Sequence, residues 1–164
     1  MRAIVISIAL FLGLTACSDQ PSGRGARIIG VTTSDAATAA RIISAYRVSR
    51  GLSPVTVNSK LNEAAIAHAK ANASVGKLFH GNFSARMHQF SIRGAAAENL
   101  SANANTVQDA IERWKKSPGH NSNLLMPEAR QIGIAKVTTG SGYRTYWALV
   151  LSANQSDPNN GMQW

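Results

Sequence analysis

The sequence predicts an α+β fold, because a helical spacing of apolar residues gives way to an alternating one near the C-terminus. Four apolar residues in the first third follow the helical spacing, namely Ala39, Ile42, Ile43 and Tyr46. Residues 131–134 instead alternate, and residues 143–151 are rich in aromatic and β-branched side chains. The Thr-Gly-Ser-Gly stretch at 139–142 separates these two segments, which predicts an antiparallel hairpin.

Three helices are predicted, each with a capping residue before its apolar stripe and a helix-breaking residue after it. The N-caps are, in chain order, Ser34 or Asp35, then Asn58, then Thr106. The residues that end the helices are Gly51 with Pro54, then Gly76, then Pro118 with Gly119. Asp109 lies three residues after Thr106, which predicts a reciprocal capping box. Residues 92–99 are a candidate for a third strand.

The N-terminal residues predict an export signal with a lipid attachment point. Arg2 precedes an apolar run over residues 3–14, which is too short to span a bilayer. The tetrapeptide Leu14-Thr15-Ala16-Cys17 then resembles a bacterial lipobox, in which the chain is cut before the cysteine and the thiol receives diacylglycerol. Cys17 is the only cysteine of the chain, so its lipidation would leave no free thiol in an oxidising compartment. The alternative is a small residue near the end of an ordinary signal peptide.

This interpretation divides the chain into four parts. Residues 1–16 are the signal peptide, 17–34 the lipidated cysteine with a flexible tether, 35–152 the folded domain, and 153–164 a polar tail. Ser18 is not acidic, which predicts sorting to the outer membrane if the envelope is Gram-negative. The expected location is therefore the cell envelope, with the protein anchored in a membrane by its lipid.

The charge balance predicts partners in the envelope rather than nucleic acid. The chain has 17 Lys and Arg residues against 8 Asp and Glu, which gives a formal net charge of +9 at pH 7. For an exported protein, anionic lipid headgroups, lipopolysaccharide and wall polymers are the expected partners. The basic residues are scattered along the chain, however, so a solvated basic surface is a better explanation for them than a dedicated anion site.

Three stretches of the sequence carry a resemblance to a known family. The first is Ala45-Tyr46-Arg47 with Gly51-Leu52-Ser53-Pro54 and residues 61–69, and the second is His80-Gly81 followed by Arg86 and Ala97-Glu98-Asn99-Leu100. The third is Trp114-Lys115-Lys116-Ser117-Pro118-Gly119-His120 with Asn123-Leu124-Leu125 and Ile132-Gly133-Ile134. Their order and spacing resemble the bacterial form of the CAP superfamily of cysteine-rich secretory proteins, antigen 5 and pathogenesis-related-1 proteins. The resemblance covers roughly residues 38–151 and implies an α-β-α sandwich with a small antiparallel sheet between helical layers. It also implies a central cleft lined by two histidines and acidic residues.

The resemblance assigns this cleft to His80, Glu98, Ser117 and His120. His80 matches the first cleft histidine of the family, and Glu98 matches the glutamate of its Glu-Asn-Leu motif. Ser117 stands where eukaryotic members usually place a second glutamate, and the later strand motif that carries their second histidine is missing. His120 belongs to a Ser-Pro-Gly-His segment that recurs in bacterial relatives, so it is expected to supply the second imidazole.

Two uses of this cleft remain open. Two neutral imidazoles and one carboxylate are a sufficient ligand set for zinc, so His80, Glu98 and His120 are a candidate site for zinc or another divalent cation. Alternatively, the imidazoles are hydrogen-bonded to Glu98 or to the backbone and stabilise a polar cleft without metal.

The other histidines and the aromatic residues are predicted to be structural. His68 falls on the apolar face of the second helix, where a packing histidine is expected, and His88 lies in a polar segment and is expected to be exposed. Trp114, Trp147 and Tyr146 are core candidates.

The function that follows is a non-enzymatic, membrane-tethered binding module of the cell envelope for a lipidic or wall-derived ligand, because members of the family are associated with lipid or sterol binding. The rival is a zinc-dependent hydrolase, in which the His/Glu cleft activates water against a peptide or an ester. A third interpretation is an envelope scaffold with a vestigial cleft. The sequence does not predict the oligomeric state.

Overall fold

The computed structural model describes residues 26–153, which form a sheet and five helices. The strands are β1 (Ile28–Thr32), β2 (Thr56–Val57), β3 (Ala96–Ala102), β4 (Gln131–Thr139) and β5 (Thr145–Ser152). The helices are α1 (Ala36–Val48), α2 (Ser59–Val75), α3 (Phe83–Gln89), α4 (Val107–Lys116) and α5 (Pro118–Leu124). The predicted signal peptide, Cys17 and residues 154–164 of the predicted tail lie outside the described residues. Within residues 26–153, no helix has the length and apolar character needed to cross a membrane.

The sheet has the strand order β1-β4-β5-β3, and the short β2 pairs with the beginning of β4. Neighbours in this order are antiparallel, whereas β2 runs parallel to β4. The predicted hairpin is confirmed as β4 and β5, with Thr138 opposite Thr145 next to the turn. β3 is the last strand in this order, so one of its edges is not paired with another strand. The loops and helices of the candidate site lie beside that edge.

Helices cover both faces of the sheet, which produces the predicted α-β-α sandwich. Side chains alternate between the two faces along β5, as they do in any strand. Trp147 and Leu149 pack with α1, α4 and α5, whereas Tyr146 and Ala148 pack with α2 and α3. Trp114 of α4 joins the first of these cores and is 1% exposed, as is Trp147. The prediction that both tryptophans and Tyr146 belong to the core is therefore confirmed.

Helix α2 packs directly on β4 because residue 133 is a glycine. A Cβ atom at Gly133 would lie 2.0 Å from the backbone carbonyl carbon of Leu61, so no larger residue fits without moving the helix. The side chain of Asn62 consequently reaches the sheet, where it accepts a hydrogen bond of 2.9 Å from the N–H of Ile134. This contact fixes α2, which carries His68, against the strands.

The predicted helix caps are largely confirmed. Asn58 accepts a hydrogen bond from the N–H of Leu61, and α2 ends at Gly76 with a left-handed φ of 71°. Thr106 and Asp109 form the predicted capping box at the start of α4. Asp35 precedes α1, but its side chain makes no capping hydrogen bond.

Arg47 ties α1 to the chain that follows α5. Its side chain is fully buried and donates hydrogen bonds of 2.8–3.0 Å to four backbone carbonyls, those of Ser53, Leu124, Met126 and Ala129. A buried guanidinium needs such partners, because an unpaired buried charge is strongly unfavourable. Arg47 therefore holds the end of α5, the helix that carries His120, against α1.

Folded structure begins earlier than the sequence predicts. β1 lies inside the segment 17–34 that was expected to be a tether, and Val31 of β1 pairs with Val137 of β4. The tether prediction is therefore wrong for residues 28–32. The partner of this strand lies near the other end of the domain, so no neighbouring sequence pattern, such as a hairpin turn, indicates that these residues pair.

Two short helices and one strand boundary also differ from expectation. β3 begins at Ala96 rather than at residue 92 and continues to Ala102. α3 and α5 were not predicted, and Pro118, expected only to end α4, is also the first residue of α5. Proline is well suited to that position, because its fixed φ matches the helix and it has no N–H to satisfy.

Candidate functional site

A pocket of about 230 Å³ opens beside the outer edge of β3. Its walls come from the chain after α2, from β3 and from α5, and consist of Leu78, Phe79, His80, Leu100 and His120. Two of the predicted cleft residues, His80 and His120, therefore line the same pocket. A larger pocket of about 330 Å³ lies between α3 and the start of β3, but it contains none of the predicted cleft residues.

The chain after α2 is held in place by Asn72. The side-chain oxygen of Asn72 accepts a hydrogen bond of 2.7 Å from the N–H of Phe79, and its amide nitrogen donates to the carbonyl of Phe79 at 3.2 Å. Because Phe79 is fixed through both of its backbone groups, the following residue, His80, starts from a defined position. The His80 side chain is itself 56% exposed and faces the pocket opening.

Glu98 is the buried centre of a polar cluster behind the pocket. It lies on β3 opposite Val150, and its side chain is only 3% exposed. Oε1 accepts a hydrogen bond of 2.9 Å from His80 Nδ1, and Oε2 accepts one from Nη2 of Arg86. Arg86 also donates from Nη1 to the carbonyl of His80 at 3.2 Å. These donors compensate the carboxylate for its lost hydration, which would otherwise make its burial unfavourable.

His68 reaches the same carboxylate from α2. Its Nε2 lies 2.6 Å from the carbonyl oxygen of Phe79 and 3.4 Å from Oε1 of Glu98. Both oxygens are acceptors, so Nε2 carries the proton. Burial lowers the pKa of His68, and this effect is larger than the opposing effect of the Glu98 carboxylate, which raises it. The neutral ring is therefore favoured. The prediction that His68 is a buried packing histidine is confirmed, but the sequence did not reveal its contact with Glu98.

The hydrogen bond to Glu98 also determines which nitrogen His80 presents to the pocket. A carboxylate can only accept, so Nδ1 of His80 carries the proton. In the neutral ring, Nε2 is then unprotonated and can accept a hydrogen bond or bind a cation. Proteins commonly orient metal-binding histidines through such a carboxylate contact.

His120 is positioned from the opposite side through its backbone. The Asn99 side chain donates a hydrogen bond of 3.0 Å to the carbonyl of His120 and accepts one of 2.9 Å from Asn123. Burial, followed by the nearby His80, lowers the pKa of His120, so the ring is neutral at neutral pH. The ion pairs of Glu98 are with His68, His80 and Arg86, and His120 is not among them.

Ser117 occupies the joint between α4 and α5. It is the C-cap of α4 and the N-cap of α5, and its side chain makes no capping hydrogen bond at the start of α5. It is absent from the residues that line either described pocket. The structure thus places Ser117 where the chain changes direction between two helices, outside the lining of the two described pockets.

The described residues do not fit the predicted three-ligand zinc site. Across residues 26–153, no group of three or more His, Cys, Asp or Glu side chains has the arrangement needed to hold a metal ion. The reason lies in Glu98, whose oxygens already accept from His80 and Arg86. Glu98 therefore orients His80, and the imidazoles of His80 and His120 are the groups left facing the pocket.

Two members of the cluster, His68 and Arg86, were noted in the sequence but were not assigned to the site. Helical spacing offers a signal for the first, since His68 and Asn72 lie four residues apart on one face of α2 and both contact Phe79. Arg86 has no comparable local signal, because its contact with Glu98 depends on how α3 folds back over β3.

The chain belongs to the CAP family, described as the cysteine-rich secretory protein family, whose pattern matches residues 40–151. This confirms the family that the three sequence stretches indicated. The curated relative "Uncharacterized protein YkwD" of Bacillus subtilis is 26% identical, over 77% of this chain and 56% of its own length. The chain thus spans just over half the length of that relative.

Solved structures share the fold at low sequence identity. An outer surface protein from Borrelia burgdorferi superposes with a TM-score of 0.68 at 17% identity, covering 79% of this chain and 99% of that protein. An extracellular SCP-domain protein from Bacillus anthracis gives a TM-score of 0.63 at 18% identity, covering 72% of this chain and 40% of that protein. At this level of identity, the similarity establishes the fold alone.

Proposed function

We propose that this protein is a membrane-tethered, non-enzymatic binding module of the cell envelope, whose pocket beside β3 accepts a lipidic or wall-derived ligand. The observation that carries the proposal is the composition of the pocket. Leu78, Phe79 and Leu100 provide apolar contact, while the imidazoles of His80 and His120 provide polar groups for hydrogen bonds. An amphipathic ligand matches this combination of apolar walls and a few polar groups.

The size of the pocket and the state of Glu98 support binding over catalysis. A volume of about 230 Å³ is below the range of roughly 300–1,000 Å³ for drug-sized ligands, so we expect the pocket to take a small group or one end of a larger molecule. Glu98 lies behind the pocket and is paired with Arg86, which leaves it poorly placed to exchange a proton with a substrate.

The binding experiment compares two histidines. The lipidated protein is purified from its host envelope, and the lipids and glycans that accompany it are identified by mass spectrometry. The affinity for the recovered compound is then measured for the parent, for His120→Ala and for His88→Ala, because His88 is exposed on α3 outside this pocket. Loss of one ligand hydrogen bond should weaken binding about tenfold in His120→Ala only. Equal affinities for all three proteins would contradict the proposal.

Lipid anchoring is the second part of the proposal, and it depends on Cys17 and the residues before it. We expect Cys17→Ser to move the protein from the membrane fraction to the soluble fraction, because a single thiol carries the whole anchor. Fractionation followed by mass spectrometry of the mature N-terminal peptide measures this. A Cys17→Ser protein that stays in the membrane fraction as the parent does would show that the anchor is not at this residue.

A zinc-dependent hydrolase is the alternative, and one observation favours it. The hydrogen bond between Glu98 and His80 Nδ1 directs the free Nε2 of His80 outward, towards the pocket that His120 also lines. Zinc at this place would have only the two imidazoles as protein ligands, one fewer than catalytic zinc sites usually have, and would supply a Lewis acid for hydrolysis. Peptidase or esterase activity that is removed by EDTA and restored by zinc would support the hydrolase. Activity that survives EDTA would exclude it.

A further inference from the structure

One end of the sheet exposes apolar side chains beside basic ones. The exposed apolar residues are Ile28 at 36%, Ile29 at 56%, Val31 at 39% and Tyr143 at 44%. They lie on β1 and in the β4–β5 turn, two segments joined by a hydrogen bond of 3.0 Å from the N–H of Gly140 to the carbonyl of Arg27. We call residues 27–31 together with 140–144 the β1 patch.

The charge of the β1 patch has a single sign. Arg27 and Arg144 are exposed within it, and neither of its two segments contains an acidic residue. A surface that combines exposed aliphatic and aromatic side chains with arginine is suited to the headgroup region of an anionic bilayer. A second copy of the chain is less suitable, because pairing two such patches would bring like charges together.

We propose that the β1 patch is the surface by which the folded domain lies on an anionic membrane. This inference rests on the proposed anchor at Cys17. The chain from Cys17 to Arg27 reaches at most about 35 Å when fully extended, so the patch is never far from the bilayer. Such a tether raises the effective concentration of the surface, and a small patch is then enough for docking.

Docking through β1 determines where the ligand pocket points. β1 and β3 are at opposite ends of the order β1-β4-β5-β3, separated by three strand spacings, or about 14 Å, while the second segment of the patch extends across the sheet to Asn103, whose side chain accepts a hydrogen bond from the N–H of Arg144. The pocket opens beside β3, so a domain resting on β1 turns the pocket away from the membrane. The ligand then arrives from the aqueous side of the envelope, and does not pass directly from the leaflet that holds the anchor.

The test uses the lipidated protein with one added cysteine. Cys17 is the only native cysteine, and under the proposed anchor its sulfur is blocked as a thioether to diacylglycerol, so Ile29→Cys and Val57→Cys each provide one site for an environment-sensitive fluorophore. Val57 is the matched control, since it is 40% exposed but lies on β2, which pairs at the other end of β4. The proteins are reconstituted in vesicles of equal parts phosphatidylglycerol and phosphatidylcholine.

The fluorophore at position 29 is expected to show a blue-shifted emission that quenchers carried on the lipids reduce. The fluorophore at position 57 is expected to show neither effect. Equal emission and equal quenching at the two positions would overturn the proposal. The proposal would also be overturned if the fluorophore at position 29 were shielded from solvent in detergent and the protein there had the mass of a dimer. That outcome would assign the patch to contact with a second copy of the chain.

A second arm separates failure of docking from failure of the anchor. The Cys17→Ser chain without residues 1–16 retains every described residue and is tested for sedimentation with the same vesicles. Arg27→Gln and Arg144→Gln should each weaken partitioning about fivefold, whereas Arg41→Gln on the exposed part of α1 should not. An unacylated Cys17 in the native protein would refute the anchor alone, whereas partitioning unaffected by both patch variants would refute docking alone.

Discussion

At the scale of single residues, the candidate site depends on the charge balance around Glu98. Its carboxylate is 3% exposed and pairs with Arg86, whose side chain is 11% exposed. A buried pair of this kind contributes little net stability when it is intact, but removing one partner leaves the other charge buried and uncompensated. The cluster is therefore sensitive to loss of either charge.

We expect Glu98→Ala to lower the free energy of unfolding by about 3 kcal/mol, because Arg86 would keep its buried charge without an anion. Urea denaturation followed by circular dichroism measures the change. The control is Glu112→Ala, which removes an exposed partner of Lys115 on α4 and should cost less than about 0.5 kcal/mol. Similar losses for both variants would show that the Glu98 cluster behaves as an ordinary surface pair.

The two histidines with lowered pKa values predict how stability responds to acid. Burial lowers the pKa of His68 and of His120 below their unfolded value of about 6.5. The unfolded chain therefore binds protons first as the pH falls, so the folded state is favoured above about pH 6.5 and loses stability below it. We expect the urea midpoint to decrease between pH 7.5 and pH 5.5, and to decrease less in His68→Gln. His88→Gln, which removes an exposed histidine on α3, is the control for the loss of an imidazole.

At the scale of elements, sequence patterns correctly predicted the helix caps, whose contacts join residues close together in the chain. The caps at Asn58 and Thr106 involve residues three positions apart, so their pattern is visible in the sequence. β1 was missed because its partner, β4, lies near the other end of the domain. α3 and α5 are each only 7 residues long, too short for an apolar stripe to stand out.

The close approach of α2 to β4 gives a prediction at this scale. Gly133→Ala should destabilise the fold by more than about 3 kcal/mol, because its Cβ would overlap the backbone of Leu61 and force α2 away from the sheet. Thermal unfolding measures the effect. Gly119→Ala is the matched control, since nothing lies within 4 Å of a Cβ at that position, and it should be close to neutral. A stable Gly133→Ala protein would mean that α2 is free to shift on the strand.

At the scale of the whole molecule, the sequence motifs named residues that the fold brings together, but not how they interact. His80 and His120 line one pocket, and Glu98 bonds to His80. The role of Glu98 could not be read from spacing, because it depends on Arg86 and His68 reaching the same carboxylate from two helices. Ser117 was included through its place in a motif, whereas the fold uses it between two helices.

The pairing of β1 with β4 also constrains when the domain can finish folding. β1 is the first described strand, and its partner begins at Gln131, after every described helix. A chain emerging from a ribosome or a translocation channel with its N-terminus first must therefore leave β1 unpaired until almost the whole domain has appeared. Such late closure of a distant contact slows folding, since the entropy of a long loop is lost before the contact stabilises it. Under the proposed export, this delay would keep the sheet incomplete until the chain had nearly finished crossing the membrane.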